Sequence, residues 1–326
     1  MNHRLFDVSR IKLLPLEQRD NDLHLDVIRP LEPMPDKSIH PGMAATAESM
    51  VRARQQNAPV ILMMGGHVLR AGVQRYIIDL MERGLVTCLA MNGAVMIHDF
   101  EFALMGATTE SVARYIKDGR FGLWDGTGRI NDIVNQAYAA DPNAGMGASV
   151  GRVLTEQDYP HAHISLLAAA WRCNVPATVH IGIGYDIIHQ HPNFNGAASG
   201  ALSYNDFLAY TAQISELEGG LVMNFGSAVM GPEVYLKALS MARNVAAQEN
   251  REIKRFTTLV CDLRDLPESV DQEPSKSSAQ YYFRPWKTML VRTVAEGGQS
   301  RYVRGRHEDT IPALWTAADK LIGTER

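Results

Sequence analysis

The chain has 326 residues, of which 46% are hydrophobic, and a formal net charge of −4 at pH 7. This length and composition can bury a large core, which excludes a disordered chain. The acidic balance argues against a general nucleic-acid or anionic-membrane partner, because neutralising phosphates requires a basic face, so the expected partner is a small molecule.

Residues 1–42 are predicted to form an extended arm. They carry five prolines among many charged residues, and proline at this density breaks helices. The remainder, 43–326, contains no clear linker and no fixed-period repeat, which argues against a solenoid. We therefore expect a single domain there, opening with a helix over Gly42–Gln56.

The chain is organised around a βαβα pattern that begins after Pro59. Val60–Met64 is a short apolar run bounded by proline and glycine, which is typical of a strand buried on both faces. Apolar residues then recur at helical spacing over Val68–Gly84. A second buried run, Leu85–Met91, follows and leads through the turn Asn92-Gly93-Ala94 into another helix.

Strands and helices are predicted to alternate through the rest of the chain. The further predicted strands are Val175–Ile181, Leu221–Phe225 and Phe256–Cys261, and Lys287–Val294 with Arg301–Val303 predicts a β-hairpin. The predicted helices are one with an N-cap at Asn131-Asp132, His163–Cys173 with a capping motif at Thr155–Asp158, Phe207–Glu218, Glu233–Ala247 and one from Ile311. This alternation indicates an α/β fold with a doubly wound, mostly parallel sheet and helices on both faces.

Polar side chains follow the predicted strands, at the edge where open parallel sheets bind ligands. They are His67, Asn92, His98, Asp99, Glu101, His180, Asp186, His189, His191, Asn224, Ser227, Asp262 and Asp265. The turns Gly65-Gly66-His67 and Asn92-Gly93-Ala94 allow close backbone approach and precede helix N-termini that can hold a phosphate. Ordinary turn chemistry explains these glycines equally well, because the G-x-G-x-x-G spacing is missing.

Lys287 is a candidate nucleophile, because Trp286 and the apolar residues after it could desolvate the amine and lower its pKa. The alternative is a strand-edge lysine stacked on an aromatic ring. The aromatic run Tyr281–Phe283 with Trp286 could form the wall of a pocket for a cationic substrate. The acidic residues that would complement such a pocket are Asp99, Glu101, Asp186 and Asp262.

The histidines suggest a second type of site. His161, His163, His180, His189 and His191, with Asp186, have the chemistry of zinc or iron ligands. Their spacing lacks H-E-x-x-H or a comparable two-ligand helix, so capping and hydrogen-bonding roles are the stronger interpretation. The absence of Gly-x-Ser-x-Gly argues against a serine hydrolase.

The three cysteines lie in apolar stretches without a CxxC pair, which favours a reducing compartment and argues against a disulfide framework. No run reaches the length of a membrane span, and MNHRLFDVSR lacks the apolar core of a secretory signal. We therefore expect a cytoplasmic protein.

Four stretches carry a resemblance to a known family: ILMMGGHVLRAGVQRYIIDLMERGLVTCLAMNGAVMIHDFEFAL, NVPATVHIGIGYDII, NFGSAVMGPEV and SSAQYYFRPWK. The first is similar to the opening strand, helix and second strand of the deoxyhypusine synthase family, which includes homospermidine-synthase-like enzymes. The others resemble its Val-Pro strand leading to a substrate-binding acid, its Gly-Gly-Gly loop and its segment ending in Trp-Gly-Lys. The resemblance extends over about residues 40–320.

The resemblance implies an NAD-binding, Rossmann-type fold and a homotetramer, built as a dimer of dimers. The family oxidises spermidine with NAD, cleaves off an aminobutyl imine, holds it on a lysine and passes it to an acceptor amine. By position, Asp186 would face the polyamine and Lys287 would form the imine. The residues that would line the dinucleotide are Gly65, Gly66, Asn92, Gly93, Ala94, Gly226, Ser227, Asp262 and Asp265.

The chain departs from the family pattern where the proton acceptor is expected. Met230–Glu233 stands in place of a Lys-His-His segment, so His98 or His189 is expected to act as the base. Arg306 stands in place of a cofactor-binding aspartate. These differences favour an NAD-dependent aminoalkyl transferase that acts on a free small amine rather than on the hypusine-bearing initiation factor. A metal-dependent hydrolase or lyase and a non-catalytic NAD-binding homologue stay open as alternatives.

Overall fold

The structure, a computed structural model, describes residues 3–267 and 269–323. Its centre is a six-stranded sheet in which every strand pairing is parallel. The strands are β1 (Val60–Met64), β2 (Cys88–Asn92), β3 (Ala177–His180), β4 (Leu221–Phe225), β5 (Thr257–Asp262) and β6 (Gln299–Arg304). They lie in the order 3-2-1-4-5-6, which is a doubly wound arrangement.

The residues of β1 show that both faces of the sheet are covered. All five are buried. Val60, Leu62 and Met64 belong to one apolar cluster, whereas Ile61 and Met63 belong to another. Because successive side chains of a strand point to opposite faces, each cluster lies on its own side of the sheet. The predicted α/β fold with helices on both faces is confirmed.

The helices connect and cover these strands. They are α1 (Pro41–Gln55), α2 (His67–Arg70), α3 (Gln74–Glu82), α4 (Gly93–Met105), α5 (Val112–Tyr115), α6 (Asp125–Ala140), α7 (Met146–Glu156), α8 (Leu166–Arg172), α9 (Gly196–Ser215), α10 (Met230–Gln248) and α11 (His307–Gly323). Residues of α1, α3, α4, α7, α8 and α11 fill the larger apolar cluster. Residues of α10 and of the second half of α9 fill the smaller one.

A π-helix over Trp286–Arg292 replaces the strand predicted there. Its Met289 and Leu290 are buried, and their carbonyl groups accept hydrogen bonds from Thr258 Oγ1 and Ser300 Oγ, both at 2.8 Å. The following strand, β6, pairs in parallel with β5. The predicted hairpin is therefore wrong, because a short buried apolar run has the same pattern in a helix and in a strand.

Three predicted helix starts are also wrong, and one of them is Phe207, which lies inside α9 (Gly196–Ser215). Asn131 lies inside α6, which begins at Asp125. Thr155 lies inside α7, where its hydroxyl donates to the Gly151 carbonyl at 2.8 Å. The cap of α8 is Ser165, whose Oγ accepts from Ala168 N at 3.0 Å. Thr155 bonds within its helix, and Asn131 Nδ2 donates to Ile188 O at 2.9 Å, and neither role can be told from a cap by sequence alone.

The predicted crossover helix after β1 is interrupted at Gly72. This residue has a φ of +69°, and a Cβ atom there would lie 1.8 Å from Val27 O. The break divides the helix into α2 and α3 and lets the N-terminal segment pass close to it. That segment also pairs Leu23–His24 with Ala107–Thr108 in a short antiparallel ladder.

The predicted bounds of the arm include residues 1–2, and those of the domain include residues 268 and 324–326, all of which lie outside the described residues. Within the part of the chain that is described, none of the helices combines the length and apolar character needed to cross a bilayer.

Candidate functional site

The turns after β1 and β4 meet where the sheet changes winding direction. Gly65 N donates to Phe225 O at 3.0 Å. A Cβ atom on Gly65 would lie 2.5 Å from Gly226 O, and one on Gly226 would lie 2.5 Å from His307 Nε2. These glycines therefore let two turns and the start of α11 pack against each other. In open α/β sheets, the crevice at such a point is where ligands bind.

A cavity of about 590 Å³ opens at this point, beyond the carboxyl ends of β1, β4, β5 and β6. Its walls carry more basic than acidic groups. The basic ones are Arg29, Arg70, Arg306, His67 and His307, and the acidic ones are Asp262 and Glu308. Burial lowers the pKa of His307, and nearby His67 lowers it further, so the three arginines provide the lasting positive charge. The N-terminus of α11 adds a positive partial charge to the same wall.

We call the edge of the sheet at the carboxyl ends of its strands the rim. A second part of it lies where β2 ends. Asn92 caps α4, because its Oδ1 accepts from Val95 N at 3.1 Å. A Cβ atom on Gly93 would lie only 2.2 Å from Asp186 Oδ2. The carboxylate of Asp186 therefore rests on the first residue of α4, although the two residues are far apart in the sequence.

The Asp186 side chain is 3% exposed, and its Oδ2 has no hydrogen-bond partner among residues 3–267 and 269–323. Its other oxygen takes part in a capping box with His189. Burial raises the pKa of Asp186 to about 7. A buried carboxylate oxygen without a donor is costly, and this oxygen is able to accept a hydrogen bond or to pair with a cation.

His189 lies beside that carboxylate with its protonation site fixed. Its Nδ1 accepts from Asp186 N at 3.2 Å and from Gly184 N at 3.1 Å. The proton of the neutral ring must therefore be on Nε2, which has no hydrogen-bond partner in the described part of the chain and lies 3.9 Å from Asp186 Oδ2. Burial lowers the pKa of His189. A cavity of about 210 Å³ with Phe121 and Tyr185 in its walls adjoins both groups.

The two parts of the rim are joined through Gly66. A Cβ atom there would lie 3.3 Å from His98 Cδ2 and 3.4 Å from Ala94 Cβ. Gly66 precedes His67 of the larger cavity, whereas Ala94 follows Gly93. Turns after β1, β2 and β4 and the loop after β3 thus converge on one edge, as the parallel sheet predicts.

Asp99 and Glu101 have structural roles, which differ from the predicted contacts with a substrate. Asp99 is buried and caps α8 by accepting from Ser165 Oγ, Leu166 N and Leu167 N at 2.6–3.1 Å. Glu101 is buried in a bidentate pair with Arg19, at 2.8 Å for each bond. Neither carboxylate lines the two cavities at the rim.

Lys287 and Trp286 belong to the layer that packs over β5 and β6. Lys287 is buried, and its Nζ lies 3.6 Å from the centre of the Tyr281 ring. Trp286 Nε1 donates to Val270 O at 3.2 Å. The structure thus shows the stacking that was the alternative interpretation of Lys287, although on a π-helix and not on a strand. The walls of the rim cavities do not include Lys287.

Some of the remaining residues predicted to bind the cofactor line the larger cavity, and others make contacts elsewhere. Asp262 lines the cavity with Gly226. Ser227 closes its own turn, since its Oγ accepts from Gly231 N at 2.8 Å. Asp265 is exposed and pairs with Arg304 at 3.0 Å.

The histidines proposed as metal ligands lie in different surroundings. His180 Nε2 is 3.0 Å from Thr178 Oγ1, and His191 Nε2 is 2.6 Å from Gly122 O. The rings of His161 and His163 have centroids 6.4 Å apart. Within residues 3–267 and 269–323, no group of three or more potential ligands is placed to share an ion.

Sequence reasoning missed Arg29, Arg70 and His307. Arg70 lies one helical turn after His67, so its position next to the β1 turn could have been noticed. Arg29 reaches the cavity because the N-terminal segment passes over α2, where its N donates to Gly72 O at 2.8 Å. His307 is brought there by β6, whose parallel position was not predicted.

Comparison with known proteins agrees with this fold. A family described as arginine dihydrolase ArgZ-like, C-terminal, Rossmann fold, matches residues 44–136. The structure of AgrE in a ternary complex with ornithine and NAD+ is similar with a TM-score of 0.52 and 13% identity, over 91% of this chain and 35% of AgrE. A putative LOR/SDH protein from Methanococcus maripaludis S2 is similar with a TM-score of 0.51 and 13% identity, over 90% of this chain and 72% of that protein.

The chain thus spans about a third of the length of AgrE, and these similarities establish the Rossmann-like fold alone. A search of curated protein sequences found no significant match. A putative deoxyhypusine synthase from Entamoeba histolytica aligns with a TM-score of 0.39 and 7% identity, too low to support an argument. The Rossmann-like part of the predicted resemblance is therefore supported, and membership of the deoxyhypusine synthase family is not.

Proposed function

We propose that the protein is an NAD-dependent enzyme that oxidises a small amine at the rim of the sheet. The observation that carries the proposal is the cavity of about 590 Å³ at the switch point, with its arginine-rich wall. A Rossmann-like sheet with an anion-attracting crevice at this point suits a dinucleotide.

The residues of the cavity fit the parts of such a cofactor. Arg70, Arg306 and the N-terminus of α11 would hold the pyrophosphate, because they supply positive charge on one wall. Asp262, at the end of β5, would accept hydrogen bonds from ribose hydroxyl groups. Gly226 offers a turn without a side chain between these groups. His307 also lines the cavity, and its buried Nδ1, which has no hydrogen-bond partner among the described residues, could bond to a polar group of the cofactor.

The substrate side would be formed by Asp186. Its free Oδ2 would bind an ammonium group, whose positive charge would stabilise the ionised carboxylate that burial disfavours. The exposed ring of Tyr185 and the ring of Phe121 lie in the walls of the adjoining cavity and suit a cation. AgrE forms a ternary complex with ornithine and NAD+, which supports the choice of an amine as substrate.

A bound nicotinamide supplies the acceptor for a hydride from the carbon that carries the amine. The protein must provide the rest of the chemistry. Asp186 would hold the nitrogen in place, and a base at the rim would take one proton from it. Loss of one hydride and one proton converts the ammonium group into a protonated imine, so the atoms and charges balance.

Transfer of an aminobutyl group from spermidine through a lysine imine is the narrower form of this proposal. It requires a lysine at the site, and Lys287 is instead stacked on Tyr281. Its position therefore lends no support to the transfer step. Oxidation of the amine does not depend on Lys287.

Calorimetric titration of the protein with NAD tests the proposal. We expect binding, and we expect Arg70→Ala to weaken it by about tenfold, which is 1.4 kcal/mol, because a charged contact to phosphate is lost. Arg152→Ala is a matched control, since Arg152 is an exposed arginine on α7 paired with Glu156. NADH formation should then be followed with L-ornithine and with spermidine.

The result that contradicts the proposal is a protein that does not bind NAD, or one whose affinity falls equally in the two arginine variants. NAD binding without NADH formation from either amine would limit the protein to the non-catalytic alternative.

A further inference from the structure

His98 stands at the end of a hydrogen-bonded chain that runs into the protein interior. Its Nδ1 lies 2.8 Å from Thr108 Oγ1, and Thr108 Oγ1 donates to Glu101 Oε2 at 2.6 Å. Thr108 is held in place by the short ladder with Leu23–His24. These hydrogen bonds therefore link the rim to Glu101. The proposed binding of the dinucleotide and the amine does not by itself give Glu101 a role.

The ionised state of Glu101 decides which atom donates and which accepts in each of these hydrogen bonds. Burial alone would raise the pKa of Glu101, but bidentate bonding to Arg19 and donation from Thr108 and Thr127 bring it below its usual value. An ionised carboxylate only accepts hydrogen bonds. The single hydroxyl proton of Thr108 is thus committed to Glu101, and Thr108 Oγ1 can only accept from His98.

It follows that the neutral ring of His98 carries its proton on Nδ1. We propose that Thr108 and Glu101 are positioning residues that fix this tautomer, and that the lone pair of His98 Nε2 is the proton acceptor for the ligand at the rim. The second half of this inference rests on the proposed function, whereas the first half does not.

The surroundings of Nε2 agree with this role. It lies 3.5 Å from the position of a Cβ atom on Gly66, and no hydrogen bond within the described ranges uses it. Burial lowers the pKa of His98 to about 4, with Glu101 opposing this effect and Arg70, Arg19 and His67 adding to it. The ring is therefore neutral near pH 7, and with the proton on Nδ1 its Nε2 keeps a lone pair.

His189 cannot take this role without rearrangement. Its Nδ1 already accepts from two backbone N–H groups, so its Nε2 carries the proton. His98 and His189 thus have opposite tautomers, and of these two histidines only His98 presents a free lone pair at Nε2.

Nitrogen NMR of the full chain labelled with 15N-histidine tests the tautomer without any ligand. His98 is assigned by comparison with His98→Gln. We expect His98 Nδ1 to be protonated and Nε2 to be of the unprotonated type near pH 7. Thr108→Val should release the ring, so that the Nε2–H tautomer appears, and Thr108→Ser should retain the wild-type signal. Thr127→Val is the matched control, because Thr127 donates to the same Glu101 at 2.5 Å but does not contact His98.

A His98 ring with its proton on Nε2 in the wild type, or the same change in the Thr127→Val spectrum as in the Thr108→Val spectrum, would overturn the positioning role. Addition of NAD with L-ornithine tests the acceptor. We expect the Nε2 resonance to shift, and an unchanged resonance in protein that calorimetry shows to be saturated with NAD would overturn the acceptor role. Failure to bind NAD would instead refute the proposed function and leave the tautomer result to stand.

Discussion

Gly93 lies directly beneath the carboxylate of Asp186, so that a Cβ atom on Gly93 would be 2.2 Å from Oδ2. This relationship joins the turn after β2 to the loop after β3. It also explains the glycine in Asn92-Gly93-Ala94, since any side chain would displace the acid. A conformational reason is not needed, because Gly93 lies in the regular first turn of α4.

Gly93→Ala should therefore damage the amine site more than the fold. We expect the new methyl group to push Asp186 away and to weaken L-ornithine binding by at least about tenfold, with a cost of about 1–3 kcal/mol in the free energy of unfolding. Calorimetry and urea denaturation measure the two effects. Gly200→Ala is the control, because Gly200 is a helical glycine whose added Cβ would meet no described residue within 4 Å outside its own helix backbone and chain neighbours. Equal binding by the two variants would show that Asp186 does not hold the amine.

Asp186→Asn should change how stability depends on pH. The pKa of Asp186 is about 7 in the folded protein, against 3.8 for its ordinary value. The folded protein therefore binds a proton at Asp186 more tightly than the unfolded chain does. The stability that this proton binding contributes is fully present below pH 3.8 and is lost as the pH rises through 7. At 1.36 kcal/mol per pKa unit, the loss amounts to about 4 kcal/mol.

Asparagine keeps the capping oxygen and does not ionise. We therefore expect the Asp186→Asn protein to exceed the wild type in stability at pH 8, and the difference to shrink as the pH is lowered toward 4. Urea denaturation of both proteins across this range measures it. If the variant is less stable than the wild type at pH 8, the Asp186 carboxylate is not a buried charge without a partner.

The fold was largely predictable because the strands leave a local pattern. Val60–Met64 and Leu221–Phe225 are apolar throughout, as expected for strands covered on both faces, and their structural bounds match the prediction. The π-helix over Trp286–Arg292 was not predictable, because its apolar run is as short as a strand. That error also hid the place of β6 and hence of His307.

The site was predictable only in its location. Asp99, Glu101 and Asp186 are all acidic residues near strand ends, yet Asp99 caps α8, Glu101 pairs with Arg19, and Asp186 alone keeps a free oxygen. These differences depend on partners that come from distant parts of the chain. No local pattern reports them.

Lys287→Met tests whether this lysine takes part in the reaction. Methionine keeps the apolar stem and loses the contact with Tyr281, so we expect the free energy of unfolding to change by less than about 2 kcal/mol. NADH formation from the amine should be unchanged. Borohydride reduction of the wild type with labelled spermidine, followed by peptide mapping, is the direct check. A labelled peptide that contains Lys287 would show that this lysine forms an imine with the substrate, as the aminobutyl transfer requires.

Arg19→Met should be the most destabilising of these changes. Arg19 and Glu101 are 1% and 2% exposed at their side chains, and the variant leaves the Glu101 carboxylate buried without its counter-ion. Breaking such a pair costs about 3–5 kcal/mol. It should also loosen the N-terminal segment, which forms a wall of the cavity through Val27 and Arg29. We therefore expect a lower urea midpoint together with weaker NAD binding.

The matched control is Arg114→Met. Arg114 pairs with Asp20 on the same segment, but the two side chains are 57% and 68% exposed, so its loss should cost less than about 1 kcal/mol. Tryptophan fluorescence during urea denaturation gives the midpoints of all three proteins. If Arg19→Met and Arg114→Met unfold at the same urea concentration, the buried pair does not anchor the N-terminal segment.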